Sequence, residues 1–121
     1  MKTDTRLMTS DYVVLGVVLS QPLDRRWRVR QMAEAAQCLK SVARNGLNRL
    51  HRVGAVHKEI GSLKSRDPET YERNSYWVDL DAVPAARSAL KQAESQDLRA
   101  KLSELGLDLD ILVTDIATKV G

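Results

Sequence analysis

Residues 29–53 read VRQMAEAAQCLKSVARNGLNRLHRV, and two amphipathic segments meet within this stretch. Apolar residues recur at steps of three and four from Val29 to Ala36, which is the spacing of a short helix with one apolar face. The same spacing returns from Leu39 to Val53, and Gly54 is a natural stop for this second helix. Residues 37–38 interrupt the pattern. The stretch therefore predicts helix, tight turn, helix.

The outward face of the second helix, residues 39–53, carries no acidic residue. Its stripe and flanks consist of Lys40, Ser41, Arg44, Asn45, Asn48, Arg49 and Arg52. A helix fits the major groove of DNA, where Arg and Asn can form paired hydrogen bonds with base edges. We predict that Arg44, Asn45 and Asn48 read bases. The remaining cations are predicted to contact phosphates, and Ser41 can bond to either group.

A β-hairpin is predicted after this helix. A short strand contains Val56 and Ile60, the polar residues 61–75 form a loop with Gly61, and residues 76–80 form the returning strand. A hairpin beside a DNA-reading helix can reach the phosphate backbone or the minor groove. The candidate contacts in this basic wing are Lys64, Arg66 and Arg73.

Charge is unevenly distributed along the chain, although the net charge of the 121 residues is only +3. Residues 25–66 hold eleven Lys or Arg against two acids, whereas residues 67–121 hold six against eleven. A basic middle followed by an acidic end indicates that one surface of the protein meets a polyanion.

An apolar segment, Tyr12–Leu19, precedes this region, with Thr9, Ser10 and Asp11 as helix-start signals. We predict a helix there, although its β-branched residues also permit a buried strand.

A long helix is predicted from Pro84 onward, with Asp81 as its cap. It either continues through Gly106 or breaks there and restarts at Asp108. Leucine-rich positions recur along it at heptad spacing, which predicts a dimer seam and divides the chain into residues 1–83, binding DNA, and residues 84–121, dimerising. The seam consists of Leu98, Leu102, Leu105, Leu109, Leu112 and Ile116.

Several classes of protein are disfavoured by the composition. The single cysteine, Cys38, can form no disulfide within the chain, and His51 and His57 lack metal-ligand neighbours at suitable spacing. No nucleophile, phosphate-loop or zinc-protease motif is present, so we expect no catalytic residue, no cofactor and no enzyme activity. The apolar runs are too short to span a bilayer and no signal peptide is evident, which predicts a cytoplasmic protein without membrane partners.

The segment QMAEAAQCLKSVARNGLNRLHRVGAV, residues 31–56, resembles the centre of winged helix-turn-helix DNA-binding domains, including the MarR-like regulators. RNSYWVDLDAV, residues 73–83, is similar to the returning wing strand of such domains, some of them in phage and plasmid replication proteins. The resemblance spans roughly residues 10–83 and implies that the second helix is the recognition helix. The chain departs from the pattern by lacking a turn glycine and by placing Gly46 inside that helix.

Together these observations predict an α+β, mostly helical protein: a winged helix-turn-helix with a two-stranded hairpin and a C-terminal helical extension. The expected function is sequence-specific binding of double-stranded DNA by a homodimeric transcriptional regulator, associated with the nucleoid when bound. Two alternatives remain open, a plasmid or phage replication or partition module and a protein-binding adaptor. No small-molecule effector is indicated or excluded.

Overall fold

The computed structural model describes residues 6–23, 25–61, 73–93 and 95–113, and in this part the protein is α+β and mostly helical, as predicted. In chain order the elements are α1 (Thr9–Leu19), α2 (Val29–Ala36), α3 (Lys40–Arg52), β1 (His57–Glu59), β2 (Ser75–Trp77), α4 (Val83–Gln92) and α5 (Gln96–Glu104). Residues 109–113 are also helical. None of the described helices has the length and apolar character needed to cross a lipid bilayer.

Helix α1 lies at the centre and contacts all four of the other named helices. Every residue from Val13 to Leu19 is buried, so the helix presents apolar side chains around its whole circumference. A helix of this kind requires packing partners on every side. The choice between helix and strand is therefore settled in favour of the helix, whose cap is Met8 rather than one of the predicted polar residues.

The C-terminal leucines pack against α1 in the same chain. A Cβ atom added to Gly16 would lie 2.7 Å from Cδ2 of Leu102, so the missing side chain lets α5 approach α1 closely. The predicted dimer seam is thereby largely used within the fold: Leu98, Leu102, Leu109 and Leu112 are buried, Leu105 is partly buried, and Ile116 lies outside the described residues. Heptad spacing indicates an apolar helix face but does not say whether its partner belongs to the same chain. A dimer, if formed, needs another surface.

The predicted single C-terminal helix is divided into three segments, α4, α5 and residues 109–113. Ser95 caps α5, because its Oγ accepts a hydrogen bond from the backbone N–H of Leu98 at 3.1 Å. A second interruption follows at Gly106, which has a φ of 77°, and Asp108 Oδ1 then accepts the N–H groups of residues 110 and 111. The predicted alternative of a break at Gly106 is therefore confirmed. These interruptions allow both leucine-rich segments to reach α1.

The turn between α2 and α3 is made without glycine. Gln37 takes the left-handed conformation, with φ 55° and ψ 51°, and the N–H of Cys38 bonds to the carbonyl oxygen of Ala33 at 3.0 Å. This is the conformation for which glycine is usually selected, because a Cβ atom is disfavoured there. Gln37 thus does the work of the turn glycine whose absence was noted in the sequence.

Replacing Gln37 with Gly is expected to stabilise the protein by up to about 1 kcal/mol, because glycine avoids the left-handed penalty. The control is Ala35→Gly, at an exposed position in right-handed α2, which should destabilise by about 1 kcal/mol. Urea unfolding monitored by circular dichroism measures both. A loss of stability in Gln37→Gly would contradict the conformation assigned to the turn.

Helix α3 is fastened to α1 through a buried ion pair. Nε and Nη2 of Arg49 lie 2.7 and 3.0 Å from the two carboxylate oxygens of Asp11, which is 0% exposed and also accepts the N–H of Met8 at 2.9 Å. A Cβ atom at Gly46 would lie 3.1 Å from Oδ1 of Asp11. Gly46, the second departure noted in the sequence, therefore makes room for the carboxylate between the helices.

Asp11→Ala should lower the free energy of unfolding by about 3 kcal/mol, because it leaves the partly buried Arg49 without its counter-charge. Asp110→Ala is the matched control, since it also removes a first-turn aspartate bound by an arginine, Arg99, but at the surface. That change should cost at most about 1 kcal/mol. Equal losses in the two variants, measured by urea unfolding, would show that the buried pair adds nothing.

The hairpin is confirmed by an antiparallel ladder. His57 pairs with Trp77, Lys58 with Tyr76 and Glu59 with Ser75, so the second strand begins one residue earlier than predicted and ends sooner. One further bond joins the N–H of Gly61 to the carbonyl oxygen of residue 73 at 3.2 Å. The predicted loop between the strands, with Lys64 and Arg66, lies outside the described residues.

A third segment, which precedes α2, joins this sheet through Trp27. Its N–H and carbonyl oxygen exchange hydrogen bonds of 2.7 and 2.9 Å with Tyr76 in an antiparallel bridge. The hairpin is thereby tied to the segment that leads into α2.

Candidate nucleic-acid interface

The outward face of α3 presents most of the predicted DNA contacts. Its inward face, with Ala43, Leu47 and Leu50, is buried against the core. The exposed members of the predicted set are Lys40, Ser41, Arg44, Asn45 and Arg52. The helix thus offers cationic, amide and hydroxyl groups to solvent along one face, and no carboxylate interrupts them.

Arg49 differs from this group. Its side chain is 25% exposed, and the guanidinium is held by Asp11 of α1. The hydrogen bond to Asp11 raises the pKa of Arg49, and this effect is larger than the lowering caused by burial. The predicted phosphate contact would compete with that ion pair. We therefore assign Arg49 to the packing of α3 rather than to the interface.

Asn48 is also occupied on one side. Its Oδ1 accepts hydrogen bonds from Nζ of Lys58 at 2.9 Å and from the hydroxyl of Tyr76 at 2.8 Å. A carbonyl oxygen has two lone pairs, and both are used here. Paired recognition of adenine by asparagine needs a donor and an acceptor, so in this arrangement Asn48 retains only its amide N–H groups as donors. Asn45 is the exposed amide on this face.

Lys58 was not identified as a site residue in the sequence. It pairs with Tyr76 across the hairpin, and its Nζ lies 5.7 Å from the centre of the Tyr76 ring. Side chains alternate between the two faces of a strand, so the sequence predicts that Lys58 lies on the opposite face from its neighbours on β1. It does not predict that this face lies against α3. Together with Asn48, Lys58 and Tyr76 fix the hairpin against the candidate recognition helix.

Arginines also gather along the hairpin. Nη1 of Arg28 donates to the carbonyl oxygen of Arg73 at 2.8 Å. The guanidinium of Arg26 lies 3.8 Å from the ring centre of Trp77 and forms an ion pair with Glu59. Arg73 was predicted as a wing contact, whereas the two arginines before α2 were not assigned to the site. The sequence signal that could have identified these two arginines was the run of arginines in which they lie, close to a strand.

The pKa of His51 is lowered by its surroundings on this surface. Burial lowers the pKa of His51, and electrostatic interactions with Lys58 and His57 lower it further. The imidazole is therefore neutral at pH 7 and contributes no charge to the face. Removing nearby cations should relieve part of this effect.

The hairpin is anchored at its other end by Asp79. Oδ1 of Asp79 lies 2.8 Å from Nε2 of His57 and accepts the N–H groups of Asp81 and Ala82 at 3.0 and 3.2 Å. Burial raises the pKa of Asp79, but hydrogen bonds from His57 and the backbone outweigh it and leave the pKa lowered. Asp79, rather than the predicted Asp81, therefore supports the start of α4.

The described ranges contain no cluster of three or more His, Cys, Asp or Glu residues suited to a metal ion. Burial raises the pKa of the Cys38 thiol, which keeps the sulfur protonated at neutral pH.

No family model matches the chain, and neither the curated proteins nor the solved structures include a significant match.

Tyr76→Phe tests whether the contact with Asn48 fixes the position of α3. Tyr76 is 1% exposed and cannot reach a ligand, yet removal of its hydroxyl should cost about 1 kcal/mol of stability and weaken the predicted DNA binding. A double-mutant cycle with Asn48→Ala should give a coupling energy of about 1 kcal/mol in urea unfolding. Tyr12→Phe is the matched control, because Tyr12 is partly buried away from this contact. Strictly additive effects would argue against the positioning role.

Proposed function

We propose that this protein is a winged helix-turn-helix that binds double-stranded DNA in a sequence-specific manner and regulates transcription in the cytoplasm. The single observation that carries the proposal is the exposed, acid-free face of α3. The element order supports it, because two helices joined by a tight turn are followed directly by a hairpin. The bridge between Trp27 and Tyr76 supplies a third segment to the sheet.

In the proposed complex α3 enters the major groove. Arg44 and Asn45 are the base-reading residues, because both are exposed near the middle of the helix. The guanidinium of Arg44 supplies paired donors and the amide of Asn45 supplies a donor and an acceptor for base edges. Asn48 contributes donors only. Lys40 and Arg52, towards the two ends of the helix, contact phosphates, and this fixes the register of the helix on the duplex.

The hairpin is proposed to lie along the flanking backbone. Arg73 is exposed at the last described pair of the hairpin, and Arg28 holds its carbonyl oxygen. Lys64 and Arg66 lie outside the described residues and stay predicted contacts of the loop between the strands. Contacts of this kind add affinity that depends strongly on salt but carry little sequence information.

The test begins by selecting a binding site from a random duplex library and measuring the affinity of variants for it. Arg44→Ala should weaken binding to the selected site by about 1–3 kcal/mol and relax the preference at one base position. Arg52→Ala should weaken all duplexes alike and lower the salt slope by about one unit. Arg87→Ala, which removes an exposed charge from α4, is the control and should change neither quantity.

Four results would count against the proposal. Failure of the library to yield any preferred sequence would remove sequence-specific recognition. Equal effects of Arg44→Ala and Arg87→Ala would remove α3 from the interface. Binding that disappears at physiological salt would instead favour the protein-binding adaptor. Footprints on tandem direct repeats would favour the replication or partition module over a regulator of inverted repeats.

A further inference from the structure

The side-chain amide of Asn48 is held in one orientation by two donors from the hairpin. Its Oδ1 accepts hydrogen bonds from Nζ of Lys58 at 2.9 Å and from the hydroxyl of Tyr76 at 2.8 Å. An ammonium group can only donate, so the atom that faces it is the carbonyl oxygen and not the amide nitrogen. Turning the amide over would set its N–H groups against the ammonium group. The two contacts therefore also fix the direction of the amide nitrogen.

The amide nitrogen of Asn48 is reached by solvent. In the part of the chain that the structure describes, the buried side-chain nitrogen and oxygen atoms without a partner are Nε1 of Trp27 and Oδ1 of Asn74. Nδ2 of Asn48 is not among them, and the bonds of this side chain to the protein are made by Oδ1. Asn48 lies one helical turn after the exposed Arg44 and Asn45. Its N–H groups therefore belong to the candidate interface.

Lys58 makes this part of the interface a surface of donors. An ammonium group carries three N–H donors, and one of them is used on Asn48. Both lone pairs of Oδ1 are filled, so the pair formed by Asn48 and Lys58 has no acceptor left to offer. A ligand group that bonds here must supply acceptors.

The edges of the four bases differ in this respect. In the major groove guanine presents two acceptors, N7 and O6, whereas adenine presents the N7 acceptor beside the N6 donor, and cytosine presents a donor. A free asparagine suits adenine because its carbonyl oxygen accepts from N6. In this protein that oxygen is filled by the hairpin, so the amino group of adenine would meet donors only and lose its bond to water without a replacement.

We propose that Asn48 reads a guanine, and that Lys58 sets this choice by filling the carbonyl oxygen of Asn48. The proposal rests on the proposed function, because it requires α3 to lie in the major groove. Lys58 is then a positioning residue for base recognition, in addition to any contact of its own with the duplex. The hairpin thereby changes the base that the asparagine of the recognition helix prefers.

Selection from a random duplex library identifies the base that Asn48 reads. The unmodified chain and Asn48→Ala are given the same library, and the position at which the variant loses its preference is assigned to Asn48. We expect guanine there for the unmodified chain, with an affinity about tenfold or more above that for adenine. Replacing this guanine with 7-deazaguanine, which lacks the N7 acceptor, should weaken binding of the unmodified chain by about fivefold and leave binding of Asn48→Ala unchanged.

Lys58→Met tests whether the lysine of the hairpin sets the choice. This variant keeps the length of the side chain and the bond from Tyr76, but it frees one lone pair of Oδ1. The preference for guanine over adenine at the assigned position should fall by about tenfold, and the preferences at other positions should stay. Lys91→Met, which removes an exposed lysine from α4, is the matched control and should change no preference. Circular dichroism verifies folding, and Lys58→Met identifies the position should Asn48→Ala fail to fold.

The outcomes separate this proposal from the proposed function. Adenine at the assigned position, a selection by folded Asn48→Ala identical to that of the unmodified chain, or an unchanged guanine preference in Lys58→Met would each overturn this proposal alone. A library that yields no preferred sequence for the unmodified chain would overturn both.

Discussion

The ion pair between Asp11 and Arg49 is the contact on which the placement of α3 depends. Asp11 lies in the first turn of a helix that is otherwise apolar on every side, so its charge can be buried only with a partner supplied from α3. Gly46 leaves the space in which that partner can reach it. The constraint fixes the rotation of α3 about its axis, and this rotation directs Arg44 toward solvent.

Helix α1 organises both halves of the chain. Its contacts with α2 and α3 support the candidate recognition helix, while Gly16 accepts the leucines of α5. The sequence predicts a boundary at residue 83 between a DNA-binding segment and a dimerising segment. In the folded chain the segments share one apolar core, because the leucines after that residue complete the burial of α1.

Much of the fold could be predicted because it depends on local patterns. Spacing of apolar residues identified α2 and α3, and the position of the turn at Gln37 followed from the interruption between them. Spacing along the chain could not predict the partners of Arg49 and Asn48. Arg49 bonds to a residue 38 positions away, and Asn48 bonds to residues 10 or more positions away. An exposed arginine and a buried one look alike in a helical stripe, and only the packed structure separates them. The break before α5 was not predicted, because the strong helix-forming residues on both sides of Ser95 favour a continuous helix.

The shared oxygen of Asp79 has a mechanical consequence. The same atom bonds to His57 of β1 and to the backbone N–H of Ala82, the residue just before α4. Any displacement of the beginning of α4 must therefore carry the hairpin with it or break one of these bonds. The start of α4 and the hairpin at the edge of the candidate interface are therefore mechanically coupled through one carboxylate group.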